Sequence, residues 1–167
     1  LEPILQRAGY VAGVIGTISY RGPGFEVKAA RTTPESVDLQ RILREMLDRG
    51  VTHCVMEVSS HSLELRRTAV IGFDVAVFTN LAGEHLDFHV TMEDYFQAKK
   101  KLFFLNGKKR TAIVNQDDPW GQRLISELPM STVTFGFEPT ALVRAERAKF
   151  SGAGVEALVK YPGGQVT

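Results

Sequence analysis

The stretch "VTHCVMEVSSHSL" (residues 51–63) decides the fold class and contains the first candidate site. Its first part, up to Val58, has the length and the β-branched content of a buried parallel strand. Carboxylate, hydroxyl and imidazole groups then follow closely, beginning at Glu57. A strand that leads into a surface helix needs none of these groups, so the stretch predicts a strand whose carboxyl end carries chemistry.

Four other runs have the same character: "VAGVIGTI" (11–18), "DVAVFTN" (74–80), "TAIVNQ" (111–116) and "STVTFGF" (131–137). Segments of helical periodicity lie between them, which predicts an α/β fold with a mostly parallel sheet flanked by helices. Beyond this point "ALVRAERAKF" and "GVEALVKYP" alternate like antiparallel strands. We therefore expect a main domain over residues 1–138 and the start of a small antiparallel β subdomain over 139–167.

A helix is predicted from Pro34 to Arg49, with Gly50 at its end. Proline suits the first helical position, and Thr33 is placed to cap the helix. The spacing from Thr32 to Glu35 resembles a capping box shifted by one residue. A helix N-terminus with two hydroxyls also suits an anion, so capping and anion binding both stay open at this point.

Composition excludes several classes of function. The net charge of +1 gives no electrostatic case for a nucleic-acid or membrane partner. The lone cysteine excludes a disulfide framework and favours a reducing compartment. No apolar segment approaches the roughly 18 residues of a membrane span, so we expect a cytoplasmic protein without membrane insertion. Both ends resemble interrupted elements, so we also expect a piece of a longer polypeptide.

Two polar side chains follow neighbouring predicted strands. Glu57 lies at the carboxyl end of one strand, and His85 lies just past the next. Ligands of open parallel sheets bind beyond these strand ends, so the two groups could share a metal or a substrate. Either residue taken alone is more often a hydrogen-bonded structural group.

A lysine on the apolar face of a helix is the third candidate. In "TMEDYFQAKKKLFF" Thr91 is a plausible N-cap with Asp94 at the third helical position. Lys99 falls within the apolar stripe, whereas Lys101 faces the opposite side. Desolvation would leave Lys99 a neutral amine that can act as a nucleophile, form a Schiff base or accept carbon dioxide as a carbamate. The alternative is that its ammonium extends to the helix edge. A carbamate would be an oxygen ligand suited to Mg²⁺ and phosphate.

Six strings together resemble one family: "GVIGT", "TTPESVDLQRILREM", "GVTHCVMEVSSHSL", "FDVAVFTNL", "EHLDFHVTMEDYFQAKKKLF" and "AIVNQDD". They are similar, in order and spacing, to the central P-loop NTPase-like domain of the Mur ligases that add a diamino acid. The resemblance implies an ATP-dependent amide ligase of peptidoglycan synthesis. It would join meso-diaminopimelate or L-lysine to UDP-MurNAc-L-Ala-D-Glu through an acyl phosphate.

The resemblance also implies roles for individual residues. Glu57 corresponds to the ligand of the Mg²⁺ that bridges the ATP phosphates, His85 to a ligand of a second Mg²⁺, and Lys99 to a carbamylated lysine. The residues that correspond to contacts with UDP-MurNAc-L-Ala-D-Glu are Thr32, Thr33, Ser59 and Arg67.

Some features depart from the family. Arg31 stands where the family often has asparagine, and Glu84 stands where it usually has aspartate. Leu65 occupies a position that is glutamine in some members and leucine in others. The motif G-x-x-x-x-G-K-[ST] is absent from the sequence, so we expect the phosphate loop to precede Leu1 and the chain alone to be inactive. The alternatives are another Mur ligase or a folylpolyglutamate synthase, a non-catalytic module that binds the UDP-MurNAc-peptide, and a metal hydrolase.

Overall fold

Ten strands and five α-helices alternate along the residues that the computed structural model describes, which are 1–83, 88–107, 111–152 and 154–167. The chain divides into two units, Leu1–Val70 and Ile71–Thr167. Each unit builds its own sheet.

The first unit is a four-stranded sheet in the order β3-β2-β1-β4. Strands β1 and β4 are parallel, and β1, β2 and β3 form antiparallel pairs. The elements are α1 (Glu2–Arg7), β1 (Ala12–Ile15), β2 (Ser19–Gly22), β3 (Phe25–Lys28), α2 (Ser36–Asp48), β4 (His53–Met56) and α3 (Ser60–Glu64). Ile15, Leu39 and Met46 are buried, so β1 and the apolar stripe of α2 both contribute to the core of this unit.

The second unit is a six-stranded sheet in the order β10-β9-β8-β7-β6-β5. Strands β5 to β8 are parallel, and β8, β9 and β10 are antiparallel. The elements are β5 (Val75–Phe78), α4 (Met92–Lys100), a 3-10 helix (Lys101–Gly107), β6 (Thr111–Asn115), α5 (Pro119–Glu127), β7 (Thr132–Gly136), β8 (Val143–Ser151), β9 (Gly154–Tyr161) and β10 (Gly164–Val166).

An aromatic cluster forms the core of the second unit. Phe78, Phe96, Phe103 and Leu124 are buried in it, and they bring β5, α4, the 3-10 helix and α5 together. Helix α5 lies so close to β6 that a Cβ atom at Gly121 would be 2.0 Å from the carbonyl oxygen of Asn115. Only glycine fits at that position, because this distance is far inside van der Waals contact.

The predicted α/β class and the five predicted strands are confirmed, with shorter strands than the apolar runs suggest. The run 11–18 contains only β1, since the chain turns after Ile15 and enters β2. The antiparallel segments after residue 138 are confirmed as β8 and β9, and β8 pairs with β7 in the same sheet. The division into domains at residues 138 and 139 stays a prediction.

The predicted cap of α2 is wrong. The helix begins at Ser36, its N-cap is Glu35, and no side chain caps it. Thr33 lies two residues before the N-cap, and its hydroxyl bonds to Glu57 and Ser59. The predicted N-cap at Thr91 is confirmed, because Thr91 and Asp94 form a reciprocal capping box at the start of α4.

In the described part of the chain, β3 and β4 are the terminal strands of the first sheet, and β10 and β5 are those of the second. Val75 and Val77 on β5 are about half exposed, at 48% and 41%. Within the described ranges, no helix has the length and apolar character needed to cross a membrane.

Candidate active site

The carboxylate of Glu57 stands just beyond the end of β4 and is held from one side. Its backbone N–H donates to the carbonyl of Ile15, which extends the pairing with β1. Its Oε2 accepts hydrogen bonds from the backbone N–H of Thr17 at 3.0 Å and from the Thr17 hydroxyl at 2.6 Å. A Cβ atom at Gly16 would lie 3.1 Å from Oε1, so the small residue leaves room for the carboxylate. Glu57 is exposed, and no described residue donates to Oε1.

Thr33 fixes the turn between Glu57 and Ser59. Its hydroxyl donates to the carbonyl of Glu57 at 2.9 Å and accepts from the backbone N–H of Ser59 at 3.0 Å. The residue is only 1% exposed. A hydroxyl has one proton to donate, and Thr33 donates it to the backbone carbonyl of Glu57. The Thr33 side chain therefore stabilises the end of β4 through two hydrogen bonds.

Thr32 is more accessible than its neighbour. Its hydroxyl lies 3.2 Å from the hydroxyl of Thr17, which in turn contacts Glu57. The two adjacent threonines are therefore linked to Glu57 differently. Thr33 donates directly to its backbone carbonyl, whereas Thr32 is linked to its carboxylate only through Thr17.

Ser59 is the N-cap of the short helix α3. Its hydroxyl accepts from the backbone N–H of Ser62 at 3.2 Å, and the Ser62 hydroxyl donates to the Ser59 carbonyl at 2.6 Å. These contacts fix the conformation of the chain directly after Glu57. The side chain is half-buried, beside the exposed carboxylate.

Arg67 is largely buried and is oriented by Glu35. Its Nη2 lies 2.9 Å from Glu35 Oε1, and its side chain is 11% exposed. Its Nη1 donates to the carbonyl of Thr33 at 3.4 Å. The Nε atom is buried without a hydrogen-bond partner. A guanidinium with an unused buried N–H suits a polar or anionic ligand, since such groups rarely remain unpaired.

Lys99 lies in the second unit, half-buried on α4 as its place in the apolar stripe predicted. Its Nζ is 5.1 Å from the centre of the Tyr95 ring. The imidazole of His89, 4% exposed, stacks against the same ring with 5.0 Å between centroids. Lys101 is exposed, which agrees with its predicted place on the other side of the helix.

Partly exposed ion pairs join α4 to α5 in the second unit. Arg123 contacts Glu93 and Glu127, and Lys100 contacts Glu127 at 2.6 Å. Hydrogen bonds from Arg123 and Gln97 lower the pKa of Glu93 to about 2, and Lys100 together with Arg123 lowers the pKa of Glu127. The pKa of Arg123 is raised by the same two carboxylates. These surface contacts belong to helix packing rather than to the candidate site.

The structure brings five of the seven predicted residues into one unit, namely Thr32, Thr33, Glu57, Ser59 and Arg67. Lys99 belongs to the other unit, and His85 lies outside the described residues. The sequence reasoning missed Thr17 and Glu35. Thr17 lies inside the predicted run 11–18, and only the observed end of β1 at Ile15 places it beyond a strand end, where ligands bind. Glu35 was predicted only as the capping-box partner of Thr32, whereas the structure pairs it with Arg67.

A free carboxylate oxygen at Glu57 fits a hard cation such as Mg²⁺, which prefers oxygen ligands. Groups of three or more His, Cys, Asp and Glu side chains suited to a metal do not occur among the residues that the structure describes.

Comparison with known proteins defines the class to which this chain belongs. The family described as the Mur ligase middle domain matches residues 1–167, so the chain belongs to the Mur ligase middle-domain family. Two relatives carry the name UDP-N-acetylmuramoyl-L-alanyl-D-glutamate--2,6-diaminopimelate ligase. The one from Geobacter metallireducens is 45% identical over 99% of this chain and 34% of its own length. The one from Geobacter sulfurreducens is 46% identical over 98% of this chain and 33% of its own length.

Solved structures agree with this assignment. A structure of a ligase of the same name has 27% identity and a TM-score of 0.86, covering 98% of this chain and 34% of its own. The apo form of L. casei FPGS has 14% identity and a TM-score of 0.63, over 97% of this chain and 46% of its own. The second likeness concerns the fold alone. The chain spans about a third of the length of the relatives that it matches.

Proposed function

We propose that the protein carrying this chain is an ATP-dependent ligase that adds 2,6-diaminopimelate to UDP-MurNAc-L-Ala-D-Glu. The observation that carries the proposal is the linked set of polar groups at the end of β4. Thr33 fixes the turn through the carbonyl of Glu57 and the N–H of Ser59, and Glu57 keeps one carboxylate oxygen available. The names of the two Geobacter relatives favour diaminopimelate over L-lysine.

The reaction we propose has two stages. ATP phosphorylates the D-glutamate carboxylate of the nucleotide-sugar peptide to an acyl phosphate, and the amine of the diamino acid then displaces phosphate as the amide forms. The main obstacle is the repulsion between an anionic carboxylate and the anionic γ-phosphate. Bound Mg²⁺ supplies the positive charge that offsets this repulsion.

We assign Glu57, His85 and Lys99 to holding Mg²⁺, with Lys99 as its carbamate. Glu57 is exposed and offers Oε1, while Thr17 holds Oε2. The position of Lys99 over the Tyr95 ring keeps its Nζ at the packed face of α4. A carbamate would replace the ammonium by an oxygen ligand, and mass spectrometry of the intact protein would detect the added mass of one carbon dioxide.

We assign Thr32, Ser59 and Arg67 to the nucleotide-sugar peptide. Arg67 supports this assignment best, because its guanidinium is held in place by Glu35 and keeps one buried N–H without a partner. The Thr33 hydroxyl supports the site by holding the turn after β4. Direct contact between Thr33 and the substrate stays a prediction.

The decisive assay follows phosphate release and product mass with the full-length protein, ATP, Mg²⁺ and UDP-MurNAc-L-Ala-D-Glu. We expect turnover with meso-diaminopimelate and little with L-lysine. Glu57→Gln keeps the shape of the side chain but removes its charge, and we expect a loss of roughly 100-fold or more in turnover. Glu26→Gln, which removes an exposed carboxylate from β3, is the matched control and should leave turnover unchanged.

Other outcomes identify the competing functions. Turnover with glutamate and a folate, and none with the muramoyl peptide, would assign the protein to the folylpolyglutamate synthases. Binding of UDP-MurNAc-L-Ala-D-Glu without any ATP-dependent turnover would indicate a non-catalytic module. Hydrolysis of simple phosphoesters without ATP would indicate a metal hydrolase.

A further inference from the structure

Thr17 directs two donors at the same oxygen of Glu57. Its backbone N–H lies 3.0 Å from Oε2, and its hydroxyl lies 2.6 Å from the same atom. The shorter distance is typical of a hydroxyl that donates to a charged carboxylate. Two donors from one residue fix the position of Oε2, and no described residue donates to Oε1.

The direction of the neighbouring hydrogen bond follows from this contact. A carboxylate only accepts, so the Thr17 hydroxyl gives its single proton to Glu57. In its 3.2 Å contact with Thr32, Thr17 must then be the acceptor and Thr32 the donor. The three residues form a directed chain from the hydroxyl of Thr32 through that of Thr17 to the carboxylate of Glu57.

We propose that Thr17 is the positioning residue that orients the Glu57 carboxylate for its cation and connects it to Thr32. The inference rests on the proposed function, in which Glu57 holds Mg²⁺ and Thr32 contacts the nucleotide-sugar peptide. Since the proton of Thr32 is given to Thr17, Thr32 offers a ligand its oxygen lone pairs. It therefore recognises an N–H or O–H donor of the substrate rather than one of its anionic oxygens.

The chain also connects the two ligands energetically. A substrate donor on Thr32 extends the chain by one bond, and successive hydrogen bonds polarise and strengthen one another. Binding of the nucleotide-sugar peptide should therefore strengthen the contact between Thr17 and Glu57 and raise metal affinity. Linkage requires that the metal raise the affinity for the peptide by the same factor.

The test measures the affinity of the full-length protein for Mn²⁺, a paramagnetic substitute for Mg²⁺, by electron paramagnetic resonance at a fixed concentration of a non-hydrolysable ATP analogue. Thr17→Val keeps the branched shape and the backbone donor and removes only the hydroxyl. We expect this variant to bind Mn²⁺ roughly 10- to 100-fold more weakly, the usual cost of losing a partner of a metal ligand. Thr17→Ser restores the hydroxyl and should restore the affinity.

A second titration adds UDP-MurNAc-L-Ala-D-Glu. In the unmodified protein the peptide should raise the affinity for Mn²⁺, and this gain should disappear in Thr17→Val. Thr17 is exposed, so the thermal unfolding midpoint of the variant should stay within the range of the unmodified protein. That separates positioning of the carboxylate from a general loss of structure.

The two hypotheses fail in different ways. If Glu57→Gln loses Mn²⁺ affinity while Thr17→Val keeps it, the inference about Thr17 is overturned and the metal role of Glu57 stands. If Glu57→Gln binds Mn²⁺ as tightly as the unmodified protein, the metal role of Glu57 fails and the inference falls with it. If Thr17→Ser is as weak as Thr17→Val, the hydroxyl is not the group that matters, and the inference is overturned.

Discussion

The N-terminal ends of α2 and α4 differ in how a nearby threonine uses its hydroxyl. At α4 the contact is local: Thr91 accepts from the N–H of Asp94 at 3.1 Å, and Asp94 accepts from the N–H of Thr91 at 3.1 Å. At α2 the Thr33 hydroxyl instead bonds to Glu57 and Ser59, which are 24 and 26 positions further along the chain. The first threonine stabilises a helix, and the second stabilises the strand end where the candidate site lies.

The difference between Thr91 and Thr33 indicates when a hydroxyl near a helix start serves a functional site and does not cap the helix. A hydroxyl near a helix start satisfies orphan N–H groups when no other buried polar group competes for it. At α2 the turn after β4 presents a backbone carbonyl and an N–H that would otherwise remain unpaired. Leaving such groups unpaired in the interior costs more than leaving a solvent-exposed helix end without a side-chain cap.

Replacing Thr33 should have the largest effect. Thr33→Val keeps the shape and leaves the Glu57 carbonyl and the Ser59 N–H without their partner, so we expect the free energy of unfolding to fall by about 3 kcal/mol. Hydrogen exchange should show faster exchange of the Ser59 amide. Thr33→Ser keeps both hydrogen bonds and should cost only about 1 kcal/mol for the lost methyl group. Equal stability of the two variants would contradict the tertiary role of the hydroxyl.

Replacing Thr91 should have a smaller effect, because its contacts are local and exposed. We expect Thr91→Ala to lower the free energy of unfolding by about 1 kcal/mol, the usual value of an N-cap. The single tryptophan, Trp120, packs against the aromatic core of the second unit and reports its unfolding by fluorescence. Thr91→Ser should match the unmodified chain, and a larger loss than that of Thr33→Val would reverse the comparison.

The ion pair of the exposed Glu93 should have the smallest effect on stability, and this effect should depend on pH. The pKa of Glu93 is lowered from 4.5 to about 2, so its contribution to stability is present above pH 4.5 and is lost as the pH falls towards 2. Glu93→Gln should flatten this part of the stability curve in urea unfolding at a series of pH values. High salt should weaken the contribution, since water and ions screen exposed pairs. A curve unchanged by Glu93→Gln would contradict the pKa shift.

Local pattern sufficed to predict most of the fold. The five apolar runs each contain a strand, because strand length and β-branched content are local properties. The capping box at α4 was also predicted, since both of its partners lie within one helical turn. The start of α2 was not, because the contact that removes Thr33 from the cap is formed with a segment distant in the sequence.

In the candidate site, too, local pattern predicted individual residues but not the contacts between residues distant in the sequence. Strand ends indicated Glu57, and helical periodicity indicated the packed face of Lys99. The contacts that hold these side chains could not be predicted. The bond from Thr17 to Glu57 joins residues 40 positions apart, and the pair between Glu35 and Arg67 depends on how α2 and the segment after α3 pack. Such contacts depend on tertiary placement rather than on local spacing.

Strands β4 and β5 are each a terminal strand of their sheet in the described part of the chain. A terminal strand has a row of backbone groups on one side that can pair with a strand of another molecule. Val75 and Val77, about half exposed on β5, add apolar surface close to one of these edges.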